Sequence, residues 1–231
     1  MRVAAIAAGT VLALLLTSCS SPAPTPDAPT ASSTPAPSVE PVVATPTPSA
    51  PVVTVDELVM RPSALELRRD GQIITTLDYM SPAADAVAAL TEAFGYAPAD
   101  EPYEGTNHRP PGVYHAWGPV VVDERYYDEE RRETDGLFSL DWPRFAVYFD
   151  APSAGDVVLR TAGDHRQGEA WSSVLDDPES DIWACEGTPV ESEETYTSRG
   201  PGTVTVVARE NDAGDAVLWL GAPAMEAGGC A

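Results

Sequence analysis

Apolar residues run almost without interruption from Val3 to Leu16, thin out from Ser20 to Val52, and then recur at strand and helix periods through the rest of the chain. From Ala64 to Asp78, two runs rich in Leu, Ile and Thr flank Asp70-Gly71. That dipeptide favours the tight turn of a β-hairpin, which is predicted here. Ala83, Val87, Leu90 and Phe94 follow at helical spacing and make one apolar stripe. Ser81 as N-cap, Pro82 at the first helical position, Asp85 in the first turn and Gly95 past the end bracket this helix. Residues 96–112, rich in Pro and Gly, read as a loop.

Strands are predicted at Val113–Trp117 and Val120–Val122, separated by Gly118-Pro119. The charged stretch from Asp123 to Asp135 has little apolar periodicity and reads as a long exposed loop. Phe145, Val147 and Phe149 alternate as in a strand. Beyond residue 150 come a strand at Val157–Leu159, a short helix near Gln167–Leu175 and a strand at Asp181–Cys185. A closing hairpin runs from Thr203–Arg209 through a turn at Asn211–Asp215 to Ala216–Leu220. The fold class read from this order is α+β, a mainly antiparallel sheet with two helices. Strands, one helix and more strands appear twice, as in a degenerate tandem of two units, 53–150 and 151–231, although no residue motif repeats.

The N-terminal apolar run is shorter than the ~20 residues a membrane-spanning helix needs. With Arg2 before it, it has the form of a signal peptide over residues 1–18. It ends in Leu16-Thr17-Ser18-Cys19: an aliphatic residue, two small residues and Cys. This resembles the lipobox of bacterial lipoproteins. The resemblance implies cleavage before Cys19 and a diacylglyceryl anchor, with acyl chains of the palmitate kind, on its thiol. The implied location is the cell membrane, lipid-anchored and facing outside the cytoplasm.

Composition sharpens this picture. Ten of the 33 residues from Ser20 to Val52 are Pro, and Asp27 and Glu40 are the only charges there. Such a segment buries too little apolar surface to offset the entropy of ordering it, so residues 19–52 read as a lipidated Cys and a disordered tether. Acidic residues outnumber Arg 36 to 13, and Lys is absent. Losing Arg2 with the signal peptide takes the formal charge from −23 to −24. That excludes nucleic acid as a partner, since phosphates need a basic surface. Arg used to the exclusion of Lys, the lipobox and the Pro/Thr tether together resemble actinobacterial lipoproteins, a likeness that implies no activity.

Candidate chemistry is sparse. His108, His115 and His165 fit no zinc or metalloprotease spacing. Asp177, Glu179 and Asp181 alternate like a calcium loop, but Ile182 stands where that loop needs Gly and Thr188 where it needs Glu. Asp123-Glu124 and Asp128-Glu129-Glu130 are interleaved with Arg125, Arg131 and Arg132, which favours a salt-bridged surface over a metal site. No cofactor, metal or catalytic residue is assigned. Tyr103, Tyr126, Tyr127 and Trp142 fall in predicted loops, and Tyr126, Tyr127 and Trp142 are the candidate ligand surface. Trp117, Trp183 and Trp219 fall in predicted strands and are assigned to the core.

With Cys19 taken by lipid, Cys185 and Cys230 remain, and an exported chain meets an oxidising environment. Their pairing as a disulfide is expected, pinning the C-terminus to the sheet. The functional expectation is an acidic domain, 53–231, that acts in binding more than in catalysis. A basic protein or an envelope glycan is its expected partner. Two alternatives stay open: an envelope hydrolase using paired carboxylates, and a secreted-type protein inhibitor.

Overall fold

The computed structural model describes residues 54–106, 110–127, 143–176, 187–197 and 200–225. Two sheets and two helices enclose one hydrophobic core, an α+β arrangement dominated by strands. Strands β1 (Glu57–Met60), β2 (Ala64–Arg69) and β3 (Gln72–Asp78) lead into helix α1 (Ala83–Phe94). Then come β4 (Ala99–Tyr103), β5 (Gly112–Trp117), β6 (Val120–Arg125), β7 (Phe145–Phe149), β8 (Ser153–Ala154) and β9 (Val157–Thr161). Helix α2 (Trp171–Leu175) precedes β10 (Thr188–Thr197), β11 (Gly200–Glu210) and β12 (Val217–Met225).

The smaller sheet runs β3-β2-β1-β9-β8, and the larger runs β10-β11-β12-β7-β6-β5-β4. The larger is antiparallel throughout, while β1 and β9 pair in parallel in the smaller. Each sheet takes strands from both sides of residue 150: β1 pairs with β9, and β7 with β12. Leu58, Met60, Leu65 and Leu67 of the smaller sheet and Val120, Val122, Val147 and Phe149 of the larger belong to the same buried cluster. Helix α1 adds Ala83, Ala86 and Leu90, and α2 adds Trp171 and Val174. Phe94 stacks on the fully buried Trp117 at 6.2 Å, and the Trp117 indole donates to the Tyr96 carbonyl at 3.0 Å.

The first hairpin forms where predicted. Asp70 and Gly71 both take positive φ, +50° and +74°, as a two-residue turn with the right twist requires. Helix α1 ends at Gly95 in the left-handed conformation, its N–H returning to the Thr91 carbonyl. Its start differs from expectation by one residue. Pro82, at φ −56° and ψ 133°, occupies the cap position, and Ser81 makes no side-chain cap bond. The chain instead turns at Asp78, whose carboxylate accepts the Met80 N–H at 2.8 Å.

Other expectations need correction. Residues 99–103, read as loop, form β4; its Pro102 and acidic residues are tolerated because β4 is an edge strand. Asp123 to Arg125, read as the start of an exposed loop, continue β6, and Asp123 is fully buried. The acid-rich β10 was not anticipated; it too is an edge strand. Strand β1, also unanticipated, lies inside the smaller sheet with Leu58, Val59 and Met60 fully buried. Helix α2 is shorter than expected and begins at Trp171. Trp219 is half-buried, not a core residue, and meets Tyr148 edge-on at 5.5 Å.

The signal segment, Cys19, the tether, His108, Trp142, Trp183, the strand expected at Asp181–Cys185, Cys185 and Cys230 lie outside the described residues. Among the described residues no helix is long and apolar enough to cross a membrane.

Candidate binding surface

Strands β4, β5 and β6 form one end of the larger sheet, and pairing register decides which side chains meet there. Asp100 lies opposite His115, His115 opposite Val122, and Val113 opposite Glu124. Directly paired residues of antiparallel strands share a face, and i and i+2 of one strand share it too. Asp100, His115, Glu124 and Tyr126 therefore line up with Trp117 and Val122 on the core-facing side, where the core gives way to solvent. The His115 Nδ1 is 2.7 Å from Asp100 Oδ1, and its Nε2 is 3.1 Å from Glu124 Oε2. The Tyr126 hydroxyl donates to the same Glu124 oxygen at 3.0 Å. Exposure rises outward along this row. His115 is buried, Glu124 keeps 25% of its side chain exposed, Tyr126 is 50% exposed and Asp100 has 59% of its side chain in solvent. Desolvation, then the hydrogen bond and charge of Glu124, then the charge of Asp100 raise the Tyr126 phenol above its ordinary value, so it stays neutral and donating.

The opposite face of the same strands is differently built. Tyr103 lies across from Gly112, and Gly112 across from Arg125. The Tyr103 ring covers Gly112, and its hydroxyl donates to Asp123 Oδ1 at 2.7 Å. Arg125 Nε donates to Asp123 Oδ2 at 3.0 Å. Buried Asp123 thus has a charge partner and a hydrogen-bond donor, which a buried carboxylate requires. Tyr114 packs on Tyr103 with ring centres 4.8 Å apart. Adjacent residues of a strand point to opposite faces, so Asp123 and Glu124 cannot close on one cation. Among the described residues no group of three or more His, Cys, Asp or Glu is arranged to hold a metal ion.

Because Arg125 is committed to the far face, the rim presents acidic groups and an aromatic ring. Asp100 carries an exposed carboxylate on the same face as the half-exposed Tyr126, Glu101 is exposed on the other face of β4, and Glu104 is exposed just past the strand. Such a rim attracts a cation and offers it a ring face. Of the three residues chosen from the sequence, Tyr126 is at this rim, Tyr127 is half-buried beside it, and Trp142 lies outside the described residues. Sequence reading missed Asp100, His115 and Glu124 as a group. The available signal was the period-two row Val122, Glu124, Tyr126 inside a stretch whose charges masked it.

Two further polar clusters are structural. On the outer face of the smaller sheet, Arg61 and Arg68 flank buried Glu66, and Glu57 joins Arg68 to Arg160. Arg160 Nε reaches Glu57 at 2.6 Å, and the chain of pairs ends at Asp164 and Arg166, 2.8 Å apart. Burial pulls the Glu66 carboxyl upward, but the hydrogen bonds and charges of Arg68 and Arg61 outweigh it and hold the group below its ordinary value. At the turn after β9, His165 Nδ1 is 2.7 Å from Glu169, and Glu191 of β10 accepts the Gly163 N–H. That last bond ties the larger sheet to the smaller.

No family model, curated protein or solved structure matches this chain.

Proposed function

We propose that this chain is a cell-envelope lipoprotein, lipid-anchored through Cys19, whose acidic domain binds a basic partner at the β4–β6 rim. The observation that carries the binding reading is Tyr126, half-exposed and hydrogen-bonded to Glu124, beside the exposed carboxylate of Asp100. An Arg or Lys side chain laid on that ring meets carboxylates at its head and an aromatic face along its stem. The formal charge of −23 draws such a partner in from a distance. The Pro-rich tether holds the domain away from the membrane and lets it search. The strand–helix–strand order on either side of residue 150 is read as a repeated layout within this one domain. Cys185 and Cys230, the two cysteines left after lipidation, are read as a disulfide.

Two experiments test this reading. For the anchor, mass spectrometry of the membrane-associated chain should find a lipid-modified N-terminal Cys19, and Cys19→Ala should release the protein or stall its processing. An unmodified Cys19 thiol in the membrane fraction refutes the anchor. For the site, binding of an oligo-arginine peptide to the full chain should weaken with salt. It should weaken about fivefold in Tyr126→Ala, the scale of an exposed cation–π contact. Glu194→Gln removes an exposed charge on β10, where no ring accompanies it, and should leave binding within twofold. Equal losses in the two variants would reduce the interaction to unspecific charge and remove the site.

A further inference from the structure

Among the described residues four strands end the two sheets: β3 and β8 in the smaller, β4 and β10 in the larger. An edge strand offers unpaired N–H and C=O groups to any extended chain, and proteins usually blunt it with Pro, charge or brevity. Three of the four edges carry these devices. Strand β8 is two residues long. Strand β4 has Asp100, Glu101 and Pro102, and β10 has Pro189 with Glu191, Glu193 and Glu194. Strand β3 reads Gln72-Ile-Ile-Thr-Thr-Leu-Asp78, with β-branched residues at four successive positions, no Pro and its only charge at the end. Ile73 is 53% and Ile74 40% exposed, and Met80 just beyond is exposed as well.

From these contrasts we propose that β3 is a self-association edge, on which β3 of a second copy of this chain adds in antiparallel register to join two smaller sheets. Charge selects the place, and a self-complementary register selects the occupant. Two copies of a chain at −23 repel each other over most of their surface, and β3 from Gln72 to Leu77 is a neutral window in it. The register follows from the strand's own pairing. Against β2, Ile73 lies opposite Arg68 and Thr75 opposite Leu67, so Ile74 is an extra, bulged residue and regular alternation begins after it. Thr75 and Leu77 then turn toward the core, while Thr76 and Asp78 turn outward. A two-fold axis through Thr76 keeps both faces matched. It sets Thr76 against its own copy, Thr75 against Leu77 and Ile74 against Asp78, and no acidic residue faces another. Thr–Thr is a favourable cross-strand pair, and the contact is isologous, so it closes at two copies.

Cysteine cross-linking in the full chain, extracted in detergent, reads the register. Directly opposed Cβ atoms lie about 5 Å apart, within disulfide reach. On mild oxidation Thr76→Cys should give a covalent dimer well above the wild-type background set by the native cysteines. Gln72→Cys, far from the axis, should not. Sedimentation of the wild-type chain should show a concentration-dependent dimer, and Ile74→Glu, which sets a second carboxylate against Asp78 of the other copy, should shift it to monomer by at least tenfold in Kd while its circular dichroism is unchanged. A wild-type chain monomeric at every concentration, equal cross-linking at 72 and 76, or a dimer indifferent to Ile74→Glu would overturn the proposal. A monomeric chain that takes up an unrelated extended peptide at β3 would overturn it too, assigning the edge to another partner.

Discussion

Tyr79 is the residue whose environment departs furthest from its chemistry. Its side chain is buried against Phe145 at 5.4 Å, and its hydroxyl has no hydrogen-bond partner among the described residues. Burial, and then the nearby charge of Glu191, raise this phenol well above its ordinary value. A buried donor without a partner lowers stability, so Tyr79→Phe should raise the unfolding free energy by up to about 1 kcal/mol in urea titration. A loss of about 2 kcal/mol instead would mean that the hydroxyl is satisfied. The pH sign is clear. A raised folded-state value contributes stability that is full below about pH 10 and falls as pH rises beyond it, and the Phe variant should lack that decline. Gly112 makes a second point at this scale. A Cβ there would overlap the Glu124 carbonyl oxygen and the Tyr103 ring. Gly112→Ala should cost about 3 kcal/mol, and adding Tyr103→Ala should not restore it, because the backbone oxygen cannot swing aside. A Cβ at Gly221 would meet the Tyr148 and Trp219 rings, side chains that can shift where a backbone oxygen cannot, so Gly221→Ala should cost about 1 kcal/mol by the same measure.

Elements in this molecule are stabilised by what lies across from them more than by their own propensities. Strand β1 is four residues long, yet it pairs on both sides and carries Glu57 into the ladder with Arg68 and Arg160. Strand β2 contributes Glu66 to the same ladder. The folded Glu66 value is depressed, so its contribution is present above about pH 4.3, the ordinary carboxylate value, and is lost as pH falls through the folded value. Glu66→Gln should therefore cost about 2 kcal/mol near neutral pH, and its stability curve should be flatter on acidification than the wild-type curve. Parallel curves would remove Glu66 from the acid response. Strand β4 shows the same dependence. All but one of its residues are exposed, and it is held by pairing with β5 and by the contacts of Asp100 and Tyr103.

For the whole molecule, net charge opposes compaction. A domain that keeps most of a −23 charge is under self-repulsion, and the outer-face Arg residues are spent on internal pairs. Raising ionic strength from low to moderate should therefore raise the thermal midpoint, since many weak repulsions are screened while partly buried pairs are screened less. A falling midpoint would make the Arg–Glu ladder the dominant electrostatic contribution. The proposed Cys185–Cys230 disulfide belongs to this scale as well. It would close a loop of 46 residues, and its reduction should then cost roughly 4 kcal/mol by chain entropy. Peptide mapping that finds both thiols free would end that expectation.

What the sequence determined by itself was local. The Asp70-Gly71 turn, the apolar stripe and Gly95 cap of α1, the Gly118-Pro119 turn and the Phe145–Phe149 alternation are short-range signals, and each produced its element. The expected lipobox and Pro-rich tether are also read from short stretches of residues, and remain proposals. Tertiary structure decided the rest. Residues 99–103 and 188–197 look like loop because their charges and prolines oppose strand formation, and only docking on β5 and β11 makes them strands. The burial of Asp123 depends on Arg125 two residues away and Tyr103 twenty away. The rim that joins Asp100, His115, Glu124 and Tyr126 spans three strands, and its members meet because β4, β5 and β6 pair in one register. A one-residue slip would turn alternate side chains to the other face and scatter them, and that register is set by long-range pairing, which no local pattern encodes.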